Sequence, residues 1–413
     1  MKDNRIMSVE IIYNNRPLEI DLPDNIAVDK FAPLATETPF SFDDFDKLWR
    51  TEKLGEKFDG KNILFVVNDG HRSTPTARIL EWINHINPAV LEKATFLIAC
   101  GTHETPGDAH YNFIFGDLYE KLQHQIHYHD CRAIESMNSI GTDQFGEEVF
   151  INKMLFEFEQ AIFINSVEPH YFAGFTGGRK SFCPGLTNFE TIERNHNLAN
   201  SLECAPLRLK GNPMAEHLEN ILDMIDRSKI FSFQIVYDAT KKIDSIFTGD
   251  LRQSFYDAVD RAMKMYSAKL DQPYDIVLME VRPPLDKNLY QAQKALENCQ
   301  MGVADKGLGI VVSACAEGIG SPHFFHMADY WDADKNCHKE GIKQFGSHKL
   351  SRVNAIGRRI KAGIHSELDD AAPKKVFYQP VRNIEEEIKS FVKDNKKYRL
   401  AVVYDAAHMV LTI

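Results

Sequence analysis

Three short apolar runs, Asn62–Asn68 (NILFVVN), Ala94–Cys100 (ATFLIAC) and Ala161–Ser166 (AIFINS), constrain the fold of this chain more than any other feature. Each is β-branched or aromatic, bounded by chain breakers and too short for a typical helix, which predicts strands buried on both faces. Amphipathic stretches separate them in the β-then-α rhythm of a parallel sheet with helical crossovers, so the expected fold class is α/β. The segments just after these runs carry the chemistry: DGHRSTPT after the first, GTHETP after the second and VEPHYFAGFTGGRKSFCPG after the third. In open parallel sheets ligands bind beyond the carboxyl ends of the strands. Topology alone therefore gathers Asp69, Arg72, His103, His170 and Lys180 about one crevice.

A chain of 413 residues is long enough for two domains. The polar, proline-containing Asp271–Tyr274 (DQPY) marks a boundary. It predicts an N-terminal domain of residues 1–270 and a C-terminal α/β domain of residues 271–413, the latter holding DIVLMEV, IVVSAC and the basic, helical HKLSRVNAIGRRIKAG. The closing RLAVVYDAAHMVLTI is strand-rich and could pack on either domain. A formal net charge of −11 argues against a nucleic-acid or anionic-membrane partner, which would require clustered Lys and Arg, and leaves small molecules. The seven cysteines are scattered and include no C-x-x-C pair, which suits a reduced compartment better than a zinc knuckle or a disulfide framework. No run approaches the ~18 apolar residues of a membrane span, and MKDNRIMSVE has no apolar signal core, so the expected location is the cytoplasm.

The familiar nucleotide-binding templates fail. GFTGGRKS at Gly174–Ser181 has Arg179 where G-x-x-x-x-G-K-[ST] needs glycine. Its glycines and cations can still cradle a phosphate through backbone amides, so phosphate binding survives without nucleotide hydrolysis, beside the simpler reading of a tight turn with two solvated cations. GLGIVV at Gly307 lacks the third glycine of G-x-G-x-x-G and precedes a strand rather than following one. His124, His127 and His129 (HQIHYHD) have the spacing of a solvated strand end rather than of a zinc site. In TNFETIERNHNLAN, Thr187 and Glu190 have capping-box spacing, Phe189 and Ile192 share an apolar face, and His196 falls near the far end, where it either favours the helix dipole or serves as a ligand. In DKNLYQAQKALENCQ, Leu289, Ala292, Leu296 and Cys299 form an apolar stripe, with Tyr290, Gln291 and Lys294 on the opposite side facing water or a cleft.

Taken together, DGHR, GTHETP, EPHYFAGFTGGRKSFCPG, ERNHN and YQAQK, in this order and at these separations, resemble the lactate racemase family of nickel-pincer nucleotide-dependent 2-hydroxyacid racemases and epimerases. The resemblance spans nearly the whole chain, and EPHYFAGFTGGRK is its most specific element. It implies an active site in the interdomain cleft. The implied cofactor is the nickel-pincer nucleotide (pyridinium-3,5-bisthiocarboxylic acid mononucleotide nickel), attached to Lys180, with His196 as the nickel ligand and with cofactor-biosynthesis enzymes as partners. Under the same resemblance His103 and His170 are the acid/base pair, while Arg72, Gln291 and Lys294 hold the substrate. Asp69, Thr176 and Tyr290 hold the nucleotide, with Gly177, Gly178 and Arg179 around its phosphate.

The implied reaction is inversion of the C2 centre of a 2-hydroxy acid. The hydrogen on that carbon is too weakly acidic for histidine to remove as a proton, so it moves as hydride to the cofactor while the hydroxyl proton leaves to a base, through a 2-keto acid intermediate. The hydroxyl ends on either side, hence two acid/base groups, and imidazole titrates near working pH. A guanidinium grips carboxylate at two points, and Lys294 adds a point charge. The lactate enzyme has a late tryptophan beside its substrate. Here Trp331, in HMADYWD, is the only tryptophan of the second half, and the polar SPHFFHMADYWD points to a larger polar 2-hydroxy acid. The competing readings are a cofactor-carrying homologue without turnover and, from another class, a phosphate- or nucleotide-binding transferase built on GFTGGRKS.

Overall fold

The computed structural model describes residues 7–339, 347–393 and 395–413. The chain forms two compact units, Ala35–Met265 and the pair of segments Met1–Leu34 and Tyr266–Ile413. Among the described residues, no helix is long and apolar enough to cross a membrane.

The unit of residues 35–265 is built on a six-stranded sheet in the order Ile243–Gly249, Ile230–Tyr237, Gln160–Ser166, Ile63–Asn68, Thr95–Ala99, Ile126–Tyr128. All neighbours are parallel except the first pair, which is antiparallel. The three apolar runs of the sequence are its central strands. Their continuous hydrophobicity follows from burial on both faces: Phe65, Val67, Phe96, Ile98, Ile162 and Ile164 enter one core, while Leu64, Val66, Leu97 and Phe163 enter another on the opposite side. Because every central strand runs the same way, the segments after Asn68, Ala99 and Ser166 all leave from one edge.

The second sheet is wholly parallel, in the order Gln379–Pro380, Lys361–His365, Val303–Val312, Tyr274–Glu280, Tyr398–Val403, Ile26–Phe31. Residues 7–34 therefore join the C-terminal part of the chain, not the segment 1–270 to which the sequence reading assigned them. The cause is backbone pairing, since Ile26–Phe31 adds an edge strand to Tyr398–Val403. The closing residues stay in this same unit, with Val410–Thr412 pairing to Ser267–Lys269.

Within this unit the helix Leu289–Cys299 buries Leu289, Ala292, Leu296 and Cys299 as its pattern predicts, and leaves Tyr290, Gln291 and Lys294 partly exposed. The same helix carries Glu297, whose carboxylate accepts from Arg352 Nε at 2.9 and 3.0 Å and from Nη2 at 2.8 Å in a buried ion pair. Removing one partner strands the other charge in the interior. Glu297→Ala is therefore expected to cost ~3–5 kcal/mol, read as a lower urea midpoint with unchanged slope.

Two local expectations are corrected. His129 is 1% exposed and belongs to the interior rather than a solvated strand end. Its Nε2 donates to the Thr187 carbonyl at 3.0 Å and its Nδ1 accepts from Asn152 at 3.2 Å. The helix Phe189–Asn197 starts one residue later than the Thr187–Glu190 capping box requires, with Asn188 at the cap and bonded to the Glu190 carboxylate at 2.8 Å. Thr187 is buried just before the cap, where it forms an isolated antiparallel bridge with Ile151.

Candidate active site

The loops that leave the shared edge line a small cavity of about 50 Å³, bordered by Asn68, Asp69, Arg72, His103, Thr176, Gly177 and Lys180, among others. Its floor is a polar network set by the residues that end the apolar strands. Asn165 Nδ2 donates to Ser181 Oγ at 2.7 Å, Asn68 Nδ2 donates to Thr74 Oγ1 at 2.7 Å, and Thr74 Oγ1 meets Ser166 Oγ at 2.8 Å. Gln234 Oε1 accepts the Gly178 amide at 3.1 Å. Buried polar groups satisfied in this way fix the backbone of the glycine-rich segment.

That segment is not a phosphate loop wrapped on a helix. Gly174–Phe175 pairs with Pro169–His170, and Gly178–Ser181 is a single 3₁₀ turn. Gly177 has φ +79°, and a Cβ there would fall 2.8 Å from the Ser166 carbonyl, so only glycine lets the turn close against the strand end. The turn sends neighbouring cations in opposite directions. Lys180 lines the cavity. Arg179 points into the protein, where its guanidinium binds Glu219 at 3.0 Å and the Ala173 carbonyl at 3.2 Å and stands over the Phe255 ring. The side chain of Arg179 is thus committed to the interior rather than to a phosphate, and Gly178 packs against that same Phe255 ring.

Burial, then the charge of Arg72, lowers the pKa of the Lys180 amine from 10.5 to about 7. A desolvated amine close to neutrality is a nucleophile at physiological pH. Amine-directed acylation of Lys180 is expected to rise with pH about a midpoint near 7, because the neutral amine reacts, and mass mapping of the modified peptide measures it. Fractional labelling that instead climbs only towards pH 10 would contradict the burial.

The tautomers of three histidines follow from their partners. His170 Nδ1 accepts the amides of Phe172 and Ala173 at 3.3 and 3.1 Å, so in the neutral ring the proton sits on Nε2, which lies 3.5 Å from Lys180 Nζ. His103 Nδ1 is bonded to Asp69 Oδ2. Burial works to raise the Asp69 pKa, and the bond from His103 with the nearby positive charges outweighs it, so the carboxylate is ionised and His103 Nδ1 donates. The neutral His103 ring therefore carries its lone pair on Nε2. His196 Nδ1 donates to the Ile192 carbonyl at 2.8 Å, which again puts the lone pair on Nε2. Burial, then Lys180, lowers the His196 pKa to about 4, and the further influence of His103 and Arg72 places all four residues in one electrostatic neighbourhood.

Of the remaining predicted residues, Thr176 lines the cavity while its hydroxyl donates to the Ser166 carbonyl at 2.9 Å. Tyr290, Gln291 and Lys294 lie on the helix Leu289–Cys299 of the other unit. There the buried Lys349, which the sequence reading overlooked, sets its ammonium 3.2 Å from the Tyr290 ring centroid, and burial followed by Lys294 lowers its pKa well below the ordinary lysine value. Trp331 is a core residue of that unit, 6% exposed, with its ring 5.0 Å from that of His338. Asn68, Asn165 and Ser181 were also overlooked, although a polar residue closing an apolar strand run was a visible signal.

A parallel-sheet α/β scaffold with a buried reactive amine and oriented imidazoles at its strand ends defines this chain as an enzyme. Residues 19–205 match the lactate racemase N-terminal domain and residues 270–349 the lactate racemase C-terminal domain. A lactate racemase of Thermoanaerobacterium thermosaccharolyticum is 28% identical over 344 residues, 77% of each chain. One of Lactiplantibacillus plantarum is 28% identical over 290 residues, 68% of this chain and 67% of that one. The lactate racemase apoprotein structure from T. thermosaccharolyticum shares the fold with a TM-score of 0.79 at 23% identity, covering 98% of this chain and 100% of that one. A Thermotoga maritima protein does so with a TM-score of 0.66 at 16% identity, covering 92% and 99%. The chain belongs to the lactate racemase family, and its enzyme class is isomerase.

Proposed function

We propose that this chain inverts the C2 centre of a 2-hydroxy acid with a nickel-pincer nucleotide attached to Lys180. The observation that carries the reading is a buried amine of pKa about 7 that lines one cavity with the Nε2-basic His103 and lies 3.5 Å from the Nε2-protonated His170.

The residues present fit such a group. Lys180 offers an amine for acyl attachment, and the hydrogen bond to Ile192 keeps the His196 lone pair on Nε2, where it would ligate nickel, an orientation commonly imposed on metal-binding histidines by the other ring nitrogen. Asp69, Thr176 and the Gly177 backbone line the small cavity beside Lys180 and would hold the nucleotide. When bound, the nucleotide supplies the acceptor and donor of hydride that imidazole chemistry lacks.

The chain's own residues handle binding and protons. Arg72 holds the substrate carboxylate at two points, and Gln291 and Lys294 are proposed to hold its hydroxyl region. His103 takes a proton at Nε2 while His170 gives one from Nε2, so the two resting tautomers already form the acid and base that inversion in one direction requires. Asp69 orients His103 by accepting the hydrogen bond from its Nδ1.

The experiment is production of the chain with the cofactor-making enzymes and nickel supplied. Intact mass should reveal an adduct that peptide mapping assigns to Lys180. Chiral analysis of lactate, malate, 2-hydroxyglutarate, phenyllactate and gluconate then names the substrate. The polar 321–332 segment supports an acid larger than lactate, and inversion of lactate alone would refute that part.

A further inference from the structure

Two further imidazoles crowd the Asp69–His103 pair. The His71 ring lies 4.5 Å from that of His103 and 4.9 Å from that of His110, both near edge-on at 60° and 68°. One ligating atom from each of Asp69, His71 and His103 falls within 4.8 Å of the other two. Three separate chain segments build this cluster: the turn after Ile63–Asn68, the loop after Thr95–Ala99, and the first turn of the helix Asp108–Phe115. A Cβ on Gly70 would come 2.6 Å from His110 Cδ2, so the glycine of DGHR is what lets His110 close behind His71. Neither His71 nor His110 has a part in the acid/base scheme above.

We infer that Asp69, His71 and His103 bind a borderline divalent transition-metal ion such as Zn²⁺, at a site separate from the nickel on His196. Two imidazoles and one carboxylate, completed by water, are a tetrahedral zinc donor set, whereas Ca²⁺ and Mg²⁺ require more oxygen ligands than the cluster offers. Bonds of ~2.1 Å set neighbouring ligand atoms ~3.4 Å apart, so the more distant donors must draw together by up to about 1.4 Å while the Asp69–His103 hydrogen bond opens and its proton leaves to solvent. His71 and His103 are exposed, and rotation of their side chains supplies that movement. The consequence rests on the acid/base reading of His103: metal at this site immobilises both His103 and Asp69, and occupancy halts turnover.

The test begins with cofactor-free protein stripped by a chelator and titrated with Co²⁺, whose visible bands report tetrahedral coordination, followed by displacement with Zn²⁺. One equivalent is expected to bind. His71→Asn should weaken binding on the order of tenfold or more, His71→Cys should retain it, and His196→Ala should leave it unchanged. Because His71 is exposed, the variants should keep the wild-type melting temperature, which checks that lost binding is not lost folding. Absent bands, affinity indifferent to His71→Asn, or loss of the bands in His196→Ala would overturn the site. On the cofactor-loaded enzyme Zn²⁺ should inhibit racemisation, and His71→Asn should relieve the inhibition. Intact binding without inhibition would leave the site standing and remove His103 from proton transfer.

Discussion

Lys180→Ala is expected to abolish the covalent adduct and to lower racemisation by at least ~10³-fold, the equivalent of ~4 kcal/mol in barrier height, without loss of stability. The size of the effect follows from the role. The histidines can exchange protons with a hydroxyl but cannot take hydrogen from the C2 carbon, so a chain that does not hold its cofactor retains only binding and proton transfer. Stability is not expected to fall, because burial of the amine costs folding free energy rather than contributing it. The pKa of Lys180 is depressed on folding by desolvation, so the unfolded chain binds more protons between about 7 and the ordinary 10.5. The Lys180 contribution therefore makes stability rise with pH across that window, and alanine removes this dependence. Intact mass, chiral turnover and urea midpoints at pH 7 and 9 check the three parts. A Lys180→Ala enzyme that still carried the adduct would relocate the attachment point, and one that still racemised at the wild-type rate would end the reading.

How much of this was legible in the sequence depended on whether a signal was local. The strands Ile63–Asn68, Thr95–Ala99 and Gln160–Ser166 declared themselves because burial on both faces leaves an unbroken apolar run. Their common direction is what gathers Asp69, Arg72, His103 and Lys180 about one cavity. By contrast, Ile26–Phe31 (IAVDKF) is an edge strand with mixed exposure, and its partner Tyr398–Val403 lies at the far end of the chain. No local pattern encodes such a pairing, so the N-terminal segment was assigned to the wrong unit. Arg179 failed for another reason. Composition makes Gly-Gly-Arg-Lys a cation-rich anion cradle, but the 3₁₀ turn alternates its side chains, and Glu219 on a separate helix draws Arg179 inward while Lys180 meets the cavity. His129 shows the same limit, because a histidine after a three-residue strand reads as solvated until the Thr187 carbonyl is seen beside it.

The tautomers of His103 and His170 lay beyond any sequence reading, since they depend on one carboxylate and two backbone amides, and they lead to the second large effect. His103→Ala and His170→Ala are each expected to reduce racemisation by ~10²–10⁴-fold while leaving the Lys180 adduct intact. Two enantiomers in water have equal free energies, so the equilibrium constant is one and kcat/KM must remain equal in the two directions for any variant. Removing either histidine must therefore slow both directions by the same factor, even though one residue meets one hand of the substrate. Asp69→Asn should act in the same sense on His103 by removing the anion that holds its Nδ1 proton, with a smaller loss because the imidazole itself remains. The measurements are initial rates from each enantiomer on adduct-verified protein. Full activity in both histidine variants, with the adduct present, would assign proton transfer to other groups, and an adduct-bearing wild-type chain that turned over none of the five acids would favour a carrier.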